Sequence, residues 1–380
     1  MQVRRGSFPG VLALGLCVAG ASTCAAADAG DPQQANGMMR MFVDSKHVLV
    51  RSFVQDVTLP VWDTGSFTMH WNNEHVVVPA IQAPAGSPEA VDAITTASRP
   101  IRGNAFQDFS KVRNELTGSF ARGGAAVEYY HSIESDYLGH QLGGSYHRDV
   151  RSDQLDVSLG GSYGWDDIAP LANDNTSSAG DRKTTVHLNA VATQVLTPTT
   201  MVRVGVEDNL VDGLQHNPYR RVYAGGTSVP ENHPRTRDRR DAFVKLNQYL
   251  PNRSSVKLDY RFYADDWGVL SHETCTQLSQ YLTHGMFAQY EYRYYTQTAA
   301  DFYRPEYATT GGIGGYLTGD YRLGPLSSHL FGVTLNFDLA SLAADTPALR
   351  RFNLSLDYER YFNSNNYSAD ILETGIDFRF

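Results

Sequence analysis

Three aspartates in the second half of the chain have the chemistry to bind a cation. Asp265 and Asp266 stand directly before Trp267-Gly268, and Asp301 follows an aromatic-rich run. Hard cations such as calcium prefer carboxylate oxygens, but no loop has the ordered D-x-D-x-D-G spacing of a calcium loop. In the structural alternative, the glycine permits a turn, the tryptophan anchors it, and the aspartates stay in water. Asp265, Asp266 and Asp301 are therefore a candidate ligand or cation site, with the structural interpretation favoured.

Two serine–histidine pairs could supply a nucleophile and its base. Ser145 with His147, and Ser327 with His329, are two residues apart, so each pair shares one face of a strand. A hydrolase also needs a third group that orients the base, and neither pair has an obvious one. The sequence has no His/Cys cluster of the kind that binds zinc. It predicts no metal site, no cofactor and no enzyme, and a rim-located enzyme acting on lipid or peptide is the alternative.

Charged residues of both signs recur at alternate positions of several segments. Lys257, Asp259 and Arg261, for example, are separated by apolar residues. Charges on one face of a strand can pair with those on the next strand. They could fill a lumen as a structural network or line a narrow channel for small polar solutes, whereas a wide ion-selective pore would more often show one sign. The predicted lumenal set is Arg203, Glu207, Lys245, Lys257, Asp259, Arg261, Glu291, Arg293, Asp357, Glu359, Asp377 and Arg379.

The elements that position these residues are predicted from alternation of apolar and polar residues, which is typical of strands. The clearest segments are 256–262, 331–339 and 352–359, and a closing strand ends at Phe380. Counting all such segments gives sixteen candidate strands. The others lie near 48–58, 66–78, 111–121, 124–134, 138–149, 153–165, 184–196, 201–212, 242–250, 270–282, 286–297 and 314–323.

Two all-β folds fit this pattern: a soluble sandwich, in which the apolar faces point inward, and a membrane barrel, in which they face lipid. Tyrosine-rich clusters at segment ends, such as 129–130 and 292–295, are typical of an interfacial girdle. The sequence therefore predicts an all-β fold, a transmembrane antiparallel up-and-down β-barrel of 14–16 strands.

Both ends of the chain point to the outer membrane of a Gram-negative bacterium. Residues 1–27 have the basic start, short apolar core and small-residue cleavage site of a secretory signal peptide. At the other end, Ile376, Phe378 and Phe380 form an apolar face of the kind that the barrel-assembly machinery reads as its signal. We expect 28–41 to be a flexible segment and 42–380 to be the barrel, a monomer surrounded by outer-membrane lipid. The net charge of −9 argues against a nucleic-acid partner.

The links between segments differ in length. Short links at 196–200, 250–254 and 323–328 are expected to be periplasmic turns, and long links at 166–183, 213–240 and 299–313 extracellular loops. Ser87 and Pro88 could begin a short helix over 87–97, which would plug the lumen or lie beneath the barrel. Following this alternation places Phe380 outside the cell. One strand between about 300 and 350 must therefore be missed or miscounted.

Several segments carry a family resemblance. They are Glu134-Ser-Asp-Tyr137, 261–268 (RFYADDWG), 292–303 (YRYYTQTAADFY) and 319–324 (GDYRLG). Together they resemble the bacterial outer-membrane family catalogued as domain of unknown function 3570. The resemblance spans about 40–380 and is strongest at 255–325. It implies location and fold, and the family brings no established activity.

The function expected from these observations is passive. The charged inward faces favour a channel or porin-like component that carries a small polar solute, or a barrel scaffold that presents the long links to partners.

Overall fold

The computed structural model describes residues 34–62, 64–78, 109–150, 154–170, 180–342 and 346–379. The expected signal peptide, the expected helix at 87–97 and Phe380 lie outside these residues. Sixteen of the eighteen described strands form one closed antiparallel barrel, as the alternation predicts. The fold prediction is thereby confirmed.

The strands are named in chain order. Their bounds are β1 Gln34–Asp44, β2 Leu49–Val61, β3 Gly65–Val78, β4 Phe109–Arg122, β5 Ala125–Ile133, β6 Tyr137–Val150, β7 Leu155–Ile168, β8 Asp181–Thr197, β9 Thr200–Gly213, β10 Arg221–Ala224, β11 Thr227–Pro230, β12 Thr236–Tyr249, β13 Ser254–Asp265, β14 Leu270–Thr283, β15 Met286–Gln297, β16 Leu326–Asp338, β17 Phe352–Asn363 and β18 Ser368–Arg379. A single α-helical turn, α1 (Leu339–Leu342), and 3₁₀ helices at Tyr321–Leu323 and Pro347–Arg351 lie in links.

Consecutive barrel strands are paired along the chain, and β9 pairs with β12. The hairpin of β10 and β11 lies between these two strands in the sequence and stands outside the barrel wall. The barrel closes where β1 pairs with β18, from Gln34 opposite Arg379 to Asp44 opposite Ala369. This closure leaves no open edge among the barrel strands.

The alternation separates an outer face from a lumenal face. On β13, Leu258, Tyr260 and Phe262 are exposed apolar residues on the outside, and the charged residues between them point into the lumen. The other barrel strands repeat the pattern, with exposed Leu, Val, Phe and Tyr residues on the outer surface. Such an apolar outer band suits lipid. Among the described residues, no helix is long and apolar enough to cross a bilayer.

The two ends of the barrel differ. Links 123–124, 198–199, 250–253 and 284–285 join strands at one end, here called the short-turn end. Links 214–235 and 298–325 lie at the other, the long-loop end. Gln34 and Arg379 are both at the short-turn end, because β1 and β18 are antiparallel neighbours.

Two corrections to the predicted strands follow. Residues 34–41, expected to be flexible, belong to β1, and the barrel begins at Gln34 rather than at residue 42. Residues 314–323, expected to be a strand, belong to link 298–325, where Gly312, Gly314 and Gly315 have positive φ. The miscounted strand between 300 and 350 is this one. Segment 323–328 is accordingly the end of a long link and the start of β16, and is not a short-turn-end link.

Candidate functional site

The predicted lumenal charges share the inward register of their strands. Arg203, Lys245 and Asp259 stand opposite one another on β9, β12 and β13. Glu291 and Glu359 flank Gly332 of β16 in the same way. Arg379, of which only the backbone is described, has the same register. The alternation thus places the whole predicted set, but it does not say which of these charges are paired.

One part of the lumenal wall keeps its charges in contact with water. Lys245 Nζ lies 3.2 Å from Asp259, and Arg261 lies 3.0 Å from Asp241 and 3.6 Å from Glu207. These five residues are called the open ladder. The side chains of Lys245 and Arg261 are 44% and 39% exposed, although both point inward. Water therefore reaches this wall from inside the barrel.

An aromatic ring forms the base of the open ladder. Phe243 is buried on the lumenal face of β12, with the guanidinium of Arg261 at 5.2 Å and the ammonium of Lys245 at 5.7 Å from its ring centre. The ring lies against Gly205 of β9, where an added Cβ would come within 2.4 Å of it. The glycine thus makes room for the ring, and the two cations are held over an apolar surface.

A hydrogen-bonded chain continues from this wall towards β15. Lys257 donates to Gln277 at 3.4 Å, and Gln277 donates to Glu291 at 2.6 Å. Farther round the barrel, Thr334 donates to Asp357 at 2.7 Å, and Arg40 pairs with Glu373 at 2.9 Å. These contacts are the cross-strand pairs expected of a mixed-charge lumen.

A cluster of buried charges lies on β4 and on link 134–136, which joins β5 to β6. Lys111 Nζ lies 2.5 Å from both Glu134 and Asp136, and Arg113 Nε donates to Glu134 at 2.7 Å. These four residues are called the packed network. The side chains of Lys111 and Glu134 are only 6% and 3% exposed. Sequence reasoning missed this network, although the alternation of Lys111 and Arg113 along β4 was a signal for it.

The packed network is covered from above by a long link. The hydroxyl of Tyr219, in link 214–235, donates to Asp136 across the ends of β6, β7 and β8. Through this contact, link 214–235, which begins after β9, reaches the rim between β5 and β6. It explains why the charges beneath are shielded from water.

Links 214–235 and 298–325 fold against each other at the long-loop end, and together they are called the cap. Backbone bridges join Ala224 to Tyr307 and Asn232 to Leu317. Val222 completes a buried apolar cluster with Ala224, Tyr307 and Leu317. The tyrosine hydroxyl donates to the Phe302 carbonyl at 2.7 Å. The two links therefore form a small folded unit with its own core.

Buried charges join the two links of the cap. Arg220 pairs with Asp320 at 2.7 Å, and Arg322 adds two hydrogen bonds to the same carboxylate, each 2.7 Å. Glu231 accepts hydrogen bonds from Thr318 Oγ1 at 2.9 Å and from the Gly319 amide at 2.7 Å. Glu231 and Asp320 are thus each held by groups of the opposite link.

The pKa values of these two acids are shifted in opposite directions, although burial disfavours the charged form of both. Burial raises the pKa of Glu231 to about 7, although Arg220 opposes the shift. Burial also disfavours the charge of Asp320, but Arg220 and Arg322 outweigh it and hold the pKa of Asp320 well below its usual range. Asp320 is therefore the permanently charged acid of the cap, and Glu231 is the one that titrates near neutrality.

The three predicted rim aspartates do not gather around a cation. Asp265 is buried and saturated: it accepts from the Trp267 and Val269 amides at 3.0 and 2.9 Å, and Arg237 and Tyr263 bind its other oxygen. It stabilises the turn of link 266–269, as the structural alternative expects, but its side chain is buried and not in water as that alternative had it. Among the residues that the structure describes, no group of three or more His, Cys, Asp or Glu side chains could hold a metal ion.

The other two rim aspartates also serve this turn. Asp266 accepts from the Asp238 amide at 3.0 Å. Asp301 packs on Gly268, whose φ is +85° and whose added Cβ would come within 2.4 Å of the carboxylate. The indole of Trp267 donates to the Thr236 carbonyl at 2.9 Å and lies 4.1 Å from the Arg237 guanidinium.

Neither serine–histidine pair is arranged for catalysis. His329 Nδ1 lies 3.0 Å from the Tyr292 hydroxyl on the outer face, instead of pairing with Ser327. Within the described residues, no hydrogen bond joins Ser145 to His147. A nucleophile without a base in reach is not activated.

The closed barrel with charged lumen and apolar outer band defines the class: this is a β-barrel of the outer-membrane type. A family model described as "Protein of unknown function (DUF3570)" matches residues 17–371, and the chain belongs to this family. The resemblance seen in the sequence is thereby confirmed. A comparison with curated protein sequences finds no match.

Several solved structures align with most of this chain. A bacterial polysaccharide outer membrane secretin aligns with a TM-score of 0.50 and 8% identity, over 92% of this chain and 98% of that chain. Pseudomonas aeruginosa OccD3 (OpdP) aligns with a TM-score of 0.45 and 11% identity, over 94% of this chain and 93% of that chain. The siderophore receptor PirA from Acinetobacter baumannii aligns with a TM-score of 0.43 and 12% identity, over 88% of this chain and 53% of that chain. The first likeness shows a shared barrel fold.

Proposed function

We propose that this protein is a porin-like channel of the outer membrane that carries small polar solutes through its lumen. The observation that supports this most directly is the open ladder. Lys245 and Arg261 point inward, yet 44% and 39% of their side-chain surface is in contact with solvent. A lumen filled by side chains would have covered them, as Lys111 is covered on β4.

The mixture of charges along the ladder favours polar solutes over ions of one sign. Its two cations face three acids, Glu207, Asp241 and Asp259, at 3.0–3.6 Å. A wall of near-balanced charge offers hydrogen-bond donors and acceptors without a strong field of either sign.

The proposed orientation follows from the two ends of the barrel. The short-turn end, with both Gln34 and Arg379, would face the periplasm, and the cap would face the exterior. The chain would arrive by a signal peptide over 1–27, and Ile376, Phe378 and Phe380 would present the signal to the barrel-assembly machinery. A monomer surrounded by outer-membrane lipid is sufficient, because the barrel closes on itself.

Planar-bilayer recording of the purified mature chain tests the channel. We expect discrete conductance steps, and Lys245→Glu combined with Arg261→Glu should move the reversal potential in a salt gradient towards cation preference. Arg182→Glu is the matched control, because Arg182 is 84% exposed and pairs with Asp167 at the outer rim. Silence of a barrel that still shows heat-modifiable migration on a denaturing gel would refute the channel.

A scaffold that presents the cap to a partner is the second candidate. The observation in its favour is that the cap has its own apolar core and the buried Arg220–Asp320 pair. A silent but correctly folded barrel would favour it. We propose no enzymatic activity, because the Ser/His pairs lack an orienting partner; lipid or peptide hydrolysis by the purified barrel would overturn this.

A further inference from the structure

A patch of polar side chains lies on the outer face of β2, β3 and β4, towards the long-loop end. Arg51 of β2 stands directly opposite His75 of β3, and Asn73 of β3 stands opposite Asn114 of β4. These residues are called the outer patch. Arg51 and Asn114 are exposed, and the other two are half-buried. The patch has the outward register of the exposed residue Phe53, two positions from Arg51 on β2.

Arg51 differs from the other arginines that face outward at this end of the described barrel strands. Those arginines each bind a carboxylate on the same face, in the pairs Arg182–Asp167, Arg240–Asp238 and Arg360–Asp370. No ion pair within the described residues involves Arg51. The described acids of β1 to β4, such as Glu74, have the lumenal register instead. The positive charge of Arg51 therefore has no carboxylate beside it on the outer face.

His75 differs in the same way from other histidines of the outer face. Three of these bind a tyrosine hydroxyl at 2.7–3.0 Å, in the pairs His140–Tyr129, His272–Tyr260 and His329–Tyr292. Within the part of the chain that the structure describes, no hydrogen bond reaches the His75 ring. The Asn73 amide donates to the Asn114 carbonyl at 2.8 Å, so the amide nitrogen of Asn114 is still available as a donor. The outer patch thus presents several donors that the protein does not satisfy.

The height of the outer patch places it at the edge of the apolar band. Arg122, opposite Gly65 of β3, lies at the short-turn end, and His75 lies ten positions beyond Gly65 along β3. At about 3.3 Å per residue and a tilt of about 40°, this separation corresponds to roughly 25 Å, the height of an outer apolar band. Phe53 and Trp71, with ring centres 6.0 Å apart, lie just below the patch. The patch is therefore at the level of lipid headgroups, and the rings are nearer the acyl chains.

The donors of the outer patch fit one kind of headgroup. The planar guanidinium of Arg51 can bind two phosphate oxygens at once, and His75 and Asn114 can donate to further oxygens. A terminal phosphate monoester offers three acceptor oxygens and a net negative charge. A phosphocholine headgroup would instead bring a cation to a patch that has no acid to pair with it. Charge and hydrogen bonding therefore both favour the phosphate monoester.

We propose that the outer patch binds an outer-leaflet lipid whose headgroup carries a phosphate monoester, with its acyl chains against the apolar face below Phe53 and Trp71. Arg51 supplies the charge, and His75 and Asn114 supply further hydrogen bonds. The choice of leaflet rests on the proposed orientation of the barrel. The binding itself depends neither on that orientation nor on conduction through the lumen.

Quenching of Trp71 by brominated lipid measures this binding. Trp71 lies four positions below His75 on β3, or about 10 Å lower, where the middle of a bound acyl chain would pass. The full mature chain, with Trp62, Trp165 and Trp267 changed to phenylalanine, is folded in phosphatidylcholine vesicles that contain dibrominated phosphatidic acid, a phosphate monoester. A parallel sample contains dibrominated phosphatidylcholine. Both leaflets contain the probe, so the result does not depend on the orientation of the barrel.

The protein should prefer phosphatidic acid to phosphatidylcholine at Trp71 by about tenfold, the size expected of one charge-assisted phosphate contact. Arg51→Gln should reduce this preference to less than about twofold, because glutamine keeps hydrogen-bonding atoms but loses the charge. Arg182→Gln is the matched control. Arg182 faces outward at the same end and is 84% exposed, but it is paired with Asp167, so its variant should keep the full preference.

Heat-modifiable migration checks that each variant is folded, and Arg51→Ser serves if Arg51→Gln does not fold. Equal quenching by the two brominated lipids would overturn the proposal, as would a preference that survives in the folded Arg51 variant. Inorganic phosphate at constant ionic strength should leave the preference intact; if it removes the preference, the patch binds free phosphate and not a lipid. Cross-linked dimers that disappear in the Arg51 variant, without any lipid preference in the parent, would assign the patch to a second copy of this chain and overturn the proposal.

Bilayer recording of the same protein separates this inference from the proposed channel. A lipid preference at Trp71 in a barrel that stays silent supports the lipid site and refutes the channel. Discrete conductance without any lipid preference supports the channel and refutes the lipid site.

Discussion

The packed network and the open ladder use the same residue types for different purposes. In the packed network, Lys111 serves Glu134 and Asp136 at 2.5 Å, with side chains 6%, 3% and 10% exposed. In the open ladder, Lys245 faces Asp259 at 3.2 Å, and the pair is 44% and 27% exposed. Burial, rather than residue type, therefore decides whether a lumenal charge supports the wall or remains available to a solute.

The difference has a clear origin in the fold. Link 214–235 crosses the barrel mouth and places Tyr219 on Asp136, so the β4–β5 wall is covered. The charges of the ladder lie on the middle of β9, β12 and β13, away from this contact. A buried pair resists the loss of one partner, because the other charge is left in a poor solvent. An exposed pair is already solvated, and its loss costs little.

The largest effect expected from this comparison is on the packed network. Lys111→Met leaves Glu134 with Arg113 alone and takes the cation away from Asp136. The free energy of unfolding should fall by about 3–5 kcal/mol, the usual cost of an uncompensated buried charge. Urea-induced unfolding of the barrel in lipid vesicles, followed by tryptophan fluorescence, measures it. A loss below about 1 kcal/mol would mean that this wall is as well solvated as the ladder.

A smaller effect is expected where link 214–235 touches the packed network. Tyr219→Phe removes one hydrogen bond to the charged Asp136 and should lower the free energy of unfolding by about 1.5–3 kcal/mol. Tyr223→Phe is the matched control, since Tyr223 is an exposed tyrosine of the same link. Equal effects in the two variants would show that the contact with Asp136 does not hold the link in place.

The barrel could be predicted from the sequence because one physical rule acts on nearly every strand. Leu258, Tyr260 and Phe262 face outward and the residues between them face inward, so the pattern along one strand is enough to recognise it. The rule is weak for β1, whose first residues, Gln34-Ala-Asn-Gly37, have no apolar alternation. Their pairing with β18, more than three hundred positions away, makes them a strand.

The cap could not be predicted because its contacts are non-local and polar. Glu231 and Thr318 are 87 positions apart, and nothing in either segment specifies the other. The alternation in 314–323 imitates a strand, but Thr318 and Asp320 are buried in the cap, where backbone and side chains of link 214–235 satisfy them. The same reasoning explains Asp265: its sequence neighbours predict a turn, whereas its pairing with Arg237 depends on the adjacent strand.

The smallest expected effect on stability is at the open ladder, and it sharpens the comparison most. Lys245→Met should change the free energy of unfolding by less than about 1 kcal/mol, because the lysine is solvated and its partner Asp259 stays in water when it is removed. Its effect should appear in transport instead, as a modest shift of the bilayer reversal potential towards cations. Lys111→Met is the matched comparison, with the same substitution at the buried position. A loss at Lys245 as large as at Lys111 would contradict the water-accessible lumen on which the proposed channel depends.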